Sequence, residues 1–297
     1  MNGFISVAKN VYYLPPPTSD FGGGVTLITG LSNNSANVLI DCGAFDYSVT
    51  RYILPALKEL KLDIKSIGYL VFTHCSTDNM GGVHKIKQLN PDIKVLYFGT
   101  NQADKLKNPS HFFIEKWSEY LDHSPPFREI RGILPTSSVD LNSRVFSEIV
   151  PFNAIGHDDD CIYWLHVPSK TIICGDAVQG NGTHSTGIAF ITEFEAYQNT
   201  LLSLISKKPN NLVCSKDFRL CPSIVIGAEN CLSVLEASLE KSNEYSAFVD
   251  KYSKMYRRRK ENLDIEALVR AYFQDKEQPT FYGYAIKTFK SIIFKNK

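Results

Sequence analysis

One pattern constrains this chain more than any other: a short, apolar, β-rich run that stops at an ionisable side chain. "YLVFT" runs into His74, with Asp78 four positions on; "VPFNAIG" runs into His157; "TIICG" runs into Asp176. Runs of about four to eight such residues, bounded by Gly, Asn and Ser, read as buried strands. A buried strand hands the residue at its end to one edge of a sheet, where a rigid scaffold can hold it in place. Two imidazoles and two carboxylates placed this way are ligand types that suit zinc, iron or manganese. A single histidine or aspartate beside a turn is usually structural; four at similar strand ends point to a site.

The rest of the chain supplies the frame. "NVYYL", "GGGVTLITG" and "ANVLIDCG" read as strands, with the triple glycine and the "SNN" cluster as turns between them. The spacing of Tyr52, Ile53, Leu57 and Leu60 predicts a helix over 50–62, and "GGVHKIKQL" opens another. "KVLYFG" is a strand, followed by helical stretches around 102–106 and 112–121. In the second half "SEIVPFNAIGH" leads into "CIYWLHVPSKTIICGD", two strands joined at a Pro-Ser-Lys turn. The helix "EAYQNTLLSLISK", the strand "NLVCSK" and helices over 228–255, 263–273 and 281–294 complete the chain. Strand-rich halves each followed by helices fit a layered α/β sandwich with its loops collected at one edge.

Composition excludes several classes. Lysine plus arginine number 32 against 31 acidic residues, so the net charge of +1 gives no electrostatic case for nucleic acid. The basic run "YRRRK" at Tyr256–Lys260 reads as a solvated helix face. No apolar run approaches a membrane span, and the N-terminus lacks the pattern of a signal peptide. Seven cysteines lack paired spacing, and Cys42, Cys161, Cys174 and Cys214 lie in apolar runs. Buried free thiols in a reducing, cytoplasmic setting are the expectation. There is no Walker loop or dinucleotide fingerprint, and "GGG" at 22–24 precedes a strand rather than a helix.

"VLIDCG", "THCSTDNMGG", "IGHD" and "CGDAV" occur in the order and approximate spacing of the metallo-β-lactamase-fold hydrolases, which the chain resembles from about Asn10 to its end. "GDAVQGNG" and "EAYQNTLLSL" are particularly similar to the glyoxalase-II- and lactonase-like branch. The resemblance implies an α/β fold, a four-layer αββα sandwich over 1–230 with metals at one edge. A helical C-terminal extension over 231–297 would pack on it.

The departures fall on the ligands. The family's loop reads H-x-H-x-D-H, but here Ser76 and Asn79 replace its second and third histidines. His157 matches the next ligand and Asp176 the bridging carboxylate. The last histidine aligns with Lys216 or its neighbour Ser215, or in another alignment with Ala228; none is an imidazole. By resemblance, one site keeps His74, His157 and Asp176. The other keeps Asp78 with Asn79 and the late residue, sharing Asp176. The expectation is therefore one zinc or iron ion, with Lys216 standing where a second cation would lie and pairing with Asp78.

The function the resemblance implies is hydrolysis of an ester, thioester or lactone of a small molecule; a one-metal site with a lysine nearby serves a lyase, cyclase or isomerase step in a specialised pathway equally well. In the hydrolysis Asp78 would orient water or accept its proton, and Lys216 would stabilise an oxyanion. A metal-free relative serving as a binding or scaffold protein, and an iron-dependent oxidative enzyme, are the rival readings. Asp41 reads as a supporting carboxylate, and His184 either lines the substrate mouth or faces solvent. Blander roles remain open: Asp78 capping the helix near Met80, Asp158–Asp160 forming a polar turn, and Cys75 packing in the core rather than acting as ligand or nucleophile. The aromatics Phe112, Phe113, Trp117, Tyr120 and Phe127 line an apolar ligand or pack their helices.

Overall fold

The structure, a computed structural model, describes residues 3–17, 22–31, 37–119, 129–259 and 262–294. Its strands are β1 (Ile5–Ala8), β2 (Val11–Leu14), β3 (Val25–Ile28), β4 (Asn37–Ile40), β5 (Ile67–Val71), β6 (Lys94–Tyr97), β7 (Ser137–Ser138), β8 (Ile149–Asn153), β9 (Ile162–His166), β10 (Thr171–Gly175), β11 (Asn211–Cys214) and β12 (Ile224–Ile226). Among the described residues they form a sheet ordered β1 to β7 and a second ordered β12-β11-β10-β9-β8. Most neighbours are antiparallel, but β4, β5, β6 and β7 run parallel, as do β10 and β11. The carboxyl ends of these parallel strands carry most of the ionisable residues singled out above.

Alternation along the strands builds three cores. Val38 and Ile40 of β4 point one way, with Val71 of β5, to meet Ile162, Trp164 and Ile173 of the other sheet. Leu39 and Leu70 point the opposite way, onto Ala56, Leu57 and Ile86. The latter belong to α1 (Leu54–Glu59), which continues a π-helical turn at Val49–Ile53, and to α2 (Val83–Leu89). Tyr163 and Ile172, one register step from Trp164 and Ile173, face the outer helices of the second sheet. A period of two thus fills both faces of each sheet, giving the expected helix–sheet–sheet–helix layering.

The outer layer on the second sheet comprises α3 (Phe194–Lys207), α4 (Ala228–Arg259), α5 (Ile265–Tyr272) and α6 (Tyr282–Ile293). Cys231, Leu235, Tyr245 and Val249 of α4 enter the same core as Leu201 and Leu204 of α3. The C-terminal helices are therefore one layer of the sandwich. Because α4 begins at Ala228, a boundary at 230 falls inside its first turn. Arg257 and Arg258 are exposed, as a solvated face requires, while Lys260 lies outside the described residues. All seven cysteines are buried and free. Among the described residues no helix is long and apolar enough to cross a membrane.

Candidate metal centre

The loop after β5 is packed by close approach. A Cβ on Gly81 would lie 1.9 Å from the Ala44 carbonyl oxygen, and one on Gly23 would lie 1.7 Å from Asn79 Oδ1. Neither glycine has a positive φ, so the Gly-Gly pair serves contact rather than a left-handed turn. Gly23 N–H donates to the Asp78 carbonyl and Gly24 N–H to that of Ser215, which also accepts from the Tyr13 hydroxyl. The triple glycine thus ties together the two ligand-bearing loops.

His74, His157 and Asp176 converge, each buried, with one ligand atom apiece within 4.8 Å of the others. The two imidazoles meet edge to face at 4.9 Å. Burial pulls both histidines below the usual imidazole range against the opposing pull of Asp176, His157 to about 4. Both are neutral at neutral pH, as a ligand must be. The Thr73 hydroxyl donates to Asp41 Oδ2 at 2.8 Å, so its oxygen can accept from His74 Nδ1 at 3.2 Å. Asp41 does not reach the triad itself; it accepts from both the amide and hydroxyl of Thr73.

Asp176 Oδ1 is buried without a hydrogen-bond partner among the described residues. An orphaned carboxylate oxygen beside two neutral imidazoles is a set that one divalent ion completes. A second ion fares otherwise. Lys216 Nζ lies 2.6 Å from Asp78 Oδ2 and 3.5 Å from Asp176 Oδ2, bridging the two carboxylates. Burial opposes charge on all three groups, but the lysine outweighs it and holds both carboxyls below their usual range. The same pairing raises the Lys216 ammonium well above the ordinary lysine range, so it stays charged. Asn79 turns its amide nitrogen to the His74 ring, 3.1 Å from Nδ1 and 3.2 Å from Nε2. Asp78 makes no helix cap: it lies in the first turn of Thr77–Met80 and receives the Ser76 hydroxyl as well as Lys216. Ala228 opens α4, while Ser215 is buried beside Lys216.

Asp158–Asp160 do not form a plain polar turn. Lys105 is buried among them, 3.0, 2.5 and 2.8 Å from one oxygen of each in turn, and Lys116 reaches Asp158 at 2.6 Å. Cys75 packs in the core, its amide donating to Asp160. His184 is exposed, 3.8 Å from Glu277, and points to solvent. Trp117 is buried, and its ring lies 5.5 Å from Phe190 and 5.2 Å from Tyr284 of α6. Phe190 in turn lies 5.2 Å from the ring of His157. Phe112 and Phe113 are half-buried on their helix; Tyr120 and Phe127 lie outside the described residues. Sequence reasoning missed Gln179, Phe190 and Tyr284, because only the folded loops bring them to His157.

The fold class is a four-layer αββα sandwich with two histidines and an aspartate gathered beyond its strand ends. A family model of the metallo-beta-lactamase superfamily matches residues 20–216, and the chain belongs to that superfamily. Similar solved structures include a metallo-beta-lactamase family protein from Thermus thermophilus, with 15% identity, TM-score 0.69, and 97% of this chain and 93% of that one covered. A Cronobacter sakazakii metallo-beta-lactamase is similar at 14% identity and TM-score 0.59, covering 83% and 98%. It is described by its HARLDQ motif, in a variant that changes an arginine, a glutamine and a lysine to histidine. FIM-1 from Pseudomonas aeruginosa, in its mono-zinc form, shares 15% identity at TM-score 0.57, covering 81% and 94%. No curated protein matches by sequence.

Proposed function

We propose that this chain is a one-metal hydrolase of the superfamily, cleaving an ester, thioester or lactone of a small organic molecule. The observation that carries the reading is the asymmetry of the centre: three converging ligands with one orphaned carboxylate oxygen, beside a second position spanned by Lys216. His74, His157 and Asp176 would hold the ion, zinc or iron, which when bound would polarise a carbonyl and lower the pKa of water toward ~7.

The other residues have roles set by their charge. Lys216, held cationic by two carboxylates, faces the centre as a fixed positive charge for an oxygen that becomes negative. Asp78 is too acidic to serve as a good proton acceptor, so it orients rather than deprotonates. Trp117, Phe190 and Tyr284 pack on one another and close the His157 side of the centre with aromatic rings. The Cronobacter motif supports the replacement logic. Aligned on its first histidine, HARLDQ stands against His74–Asn79, keeping the histidine and aspartate and ending in an amide.

Metal-replete protein assayed against esters, thioesters and lactones should hydrolyse at least one class, and His157→Ala should abolish it. Turnover that survives His157→Ala would end this assignment. A metal-free binding protein is the second reading, favoured by the Lys216 bridge that satisfies Asp78 without any ion. A small molecule bound equally well with and without chelator, and never turned over, would support that reading instead.

A further inference from the structure

We propose that Gln179 is a positioning residue that holds His157 in the Nε2–H tautomer, so that this histidine presents a donor rather than a lone pair to the centre. The inference concerns the centre described above, but its first test does not depend on metal being bound.

The amide of Gln179 cannot choose its orientation freely. Its Oε1 accepts from Phe190 N–H at 2.9 Å, and its Nε2 donates to the Asp176 carbonyl at 2.9 Å. Both ends are buried, and reversing the amide would break both bonds at once. The NH2 group therefore faces His157, with Nε2 2.7 Å from Nδ1. Two N–H groups cannot share a gap that short, so Nδ1 must present its lone pair and the ring proton must sit on Nε2. Phe190's carbonyl, 3.1 Å from Nδ1, is the competing acceptor, but it is also 3.1 Å from the same amide nitrogen. The resulting Nε2–H points into the centre, 3.7 Å from Asp176 Oδ2.

His74 is held differently. Thr73 gives its proton to Asp41 and can accept from His74 Nδ1 at 3.2 Å, while the Asn79 amide nitrogen lies 3.1 Å from Nδ1 and 3.2 Å from Nε2, so its contacts impose no single tautomer. His157 is the histidine set as a donor toward the centre. For His157 to bind an ion through Nε2, its proton must move to Nδ1 and pair with the Phe190 carbonyl, and Gln179 must turn aside. Gln179 thereby weakens metal binding and, without metal, leaves a hydrogen-bond donor in the centre.

The test uses full-length protein with 15N-labelled histidine. Chelated protein at neutral pH should show His157, assigned by loss of its signals in His157→Ala, as the Nε2–H tautomer. Gln179→Glu, whose carboxylate accepts from Nδ1, should invert His157 and tighten zinc binding by about tenfold or more in chelator competition. Gln179→Met, which keeps bulk but offers no donor, should shift His157 toward Nδ1–H. An Nδ1–H tautomer at His157 in the unsubstituted protein, or one indifferent to both substitutions, would overturn the proposal. If the tautomers behave as expected but no variant binds zinc, the one-metal reading fails and the role of Gln179 stands.

Discussion

Two buried lysines sit on loops and helices around the same histidine pair, and they differ in what surrounds them. Lys105 is enclosed by Asp158, Asp159 and Asp160, with Lys116 taking up the remaining oxygen of Asp158. Lys216 touches Asp78 closely and Asp176 only at 3.5 Å, and the other oxygen of Asp176 has no partner among the described residues. The first cluster has satisfied its lysine with three acceptors; the second leaves one oxygen of Asp176 unpaired in the group it forms with His74 and His157. Saturation marks a structural cluster, and an orphaned lone pair marks a site.

The largest expected effect lies in the saturated cluster. Lys105→Met leaves three carboxylates facing one another around an apolar stem. It should destabilise the fold by about 3–5 kcal/mol in denaturant titration, with metal affinity falling only as far as folding does. A loss below ~1 kcal/mol would show that the cluster is solvated and the contrast false.

Lys216→Ala should act the other way. It removes one cation from a pair of carboxylates and the charge offered to an oxyanion, so kcat should fall by roughly 10²–10³. Since Asp78 and Asp176 can then share an added cation, the Ser76→His/Asn79→His/Lys216→His variant should bind two metal ions where the unsubstituted chain binds one. A triple variant that still binds a single ion would show that Lys216 does not occupy the second position.

Acid provides a gentler probe. Burial raises the Asp158 carboxyl, but Lys116 and Lys105 outweigh it and hold it well below the usual carboxylate range. A folded-state pKa below the unfolded one means that the unfolded chain binds more protons. The stabilisation is therefore whole above about pH 4 and is lost as pH falls from there toward the folded pKa. Asp158→Asn should clearly lower the melting temperature at pH 7, and that loss should shrink progressively as pH falls below about 4. The smallest effect belongs to Tyr284→Phe, which keeps the ring against Phe190 and Trp117. Stability should change by less than about 1 kcal/mol, and any loss of turnover would place the hydroxyl at the substrate.

What could be read from residues alone follows the same division. His74, His157 and Asp176 were legible because each ends an apolar strand run, and the fold's parallel strands send those ends to one edge. Lys216 was legible because it follows β11 at a matching position. The Lys105 cluster was not: "ADKLK" has no signal that separates a buried lysine from a solvated one, and three consecutive aspartates look like a turn. Gln179 escaped for a related reason. Its importance lies in which amide atom faces His157, and that is decided by Phe190 and Asp176 backbone groups brought together only by folding.

The central claim is the inequality of the two metal positions, and metal stoichiometry tests it most directly. Elemental analysis of protein purified without chelator, alongside His157→Ala prepared identically, should give about one zinc or iron per chain for the first and none for the second. Two ions per chain, or no metal together with melting unchanged by chelator, would contradict it.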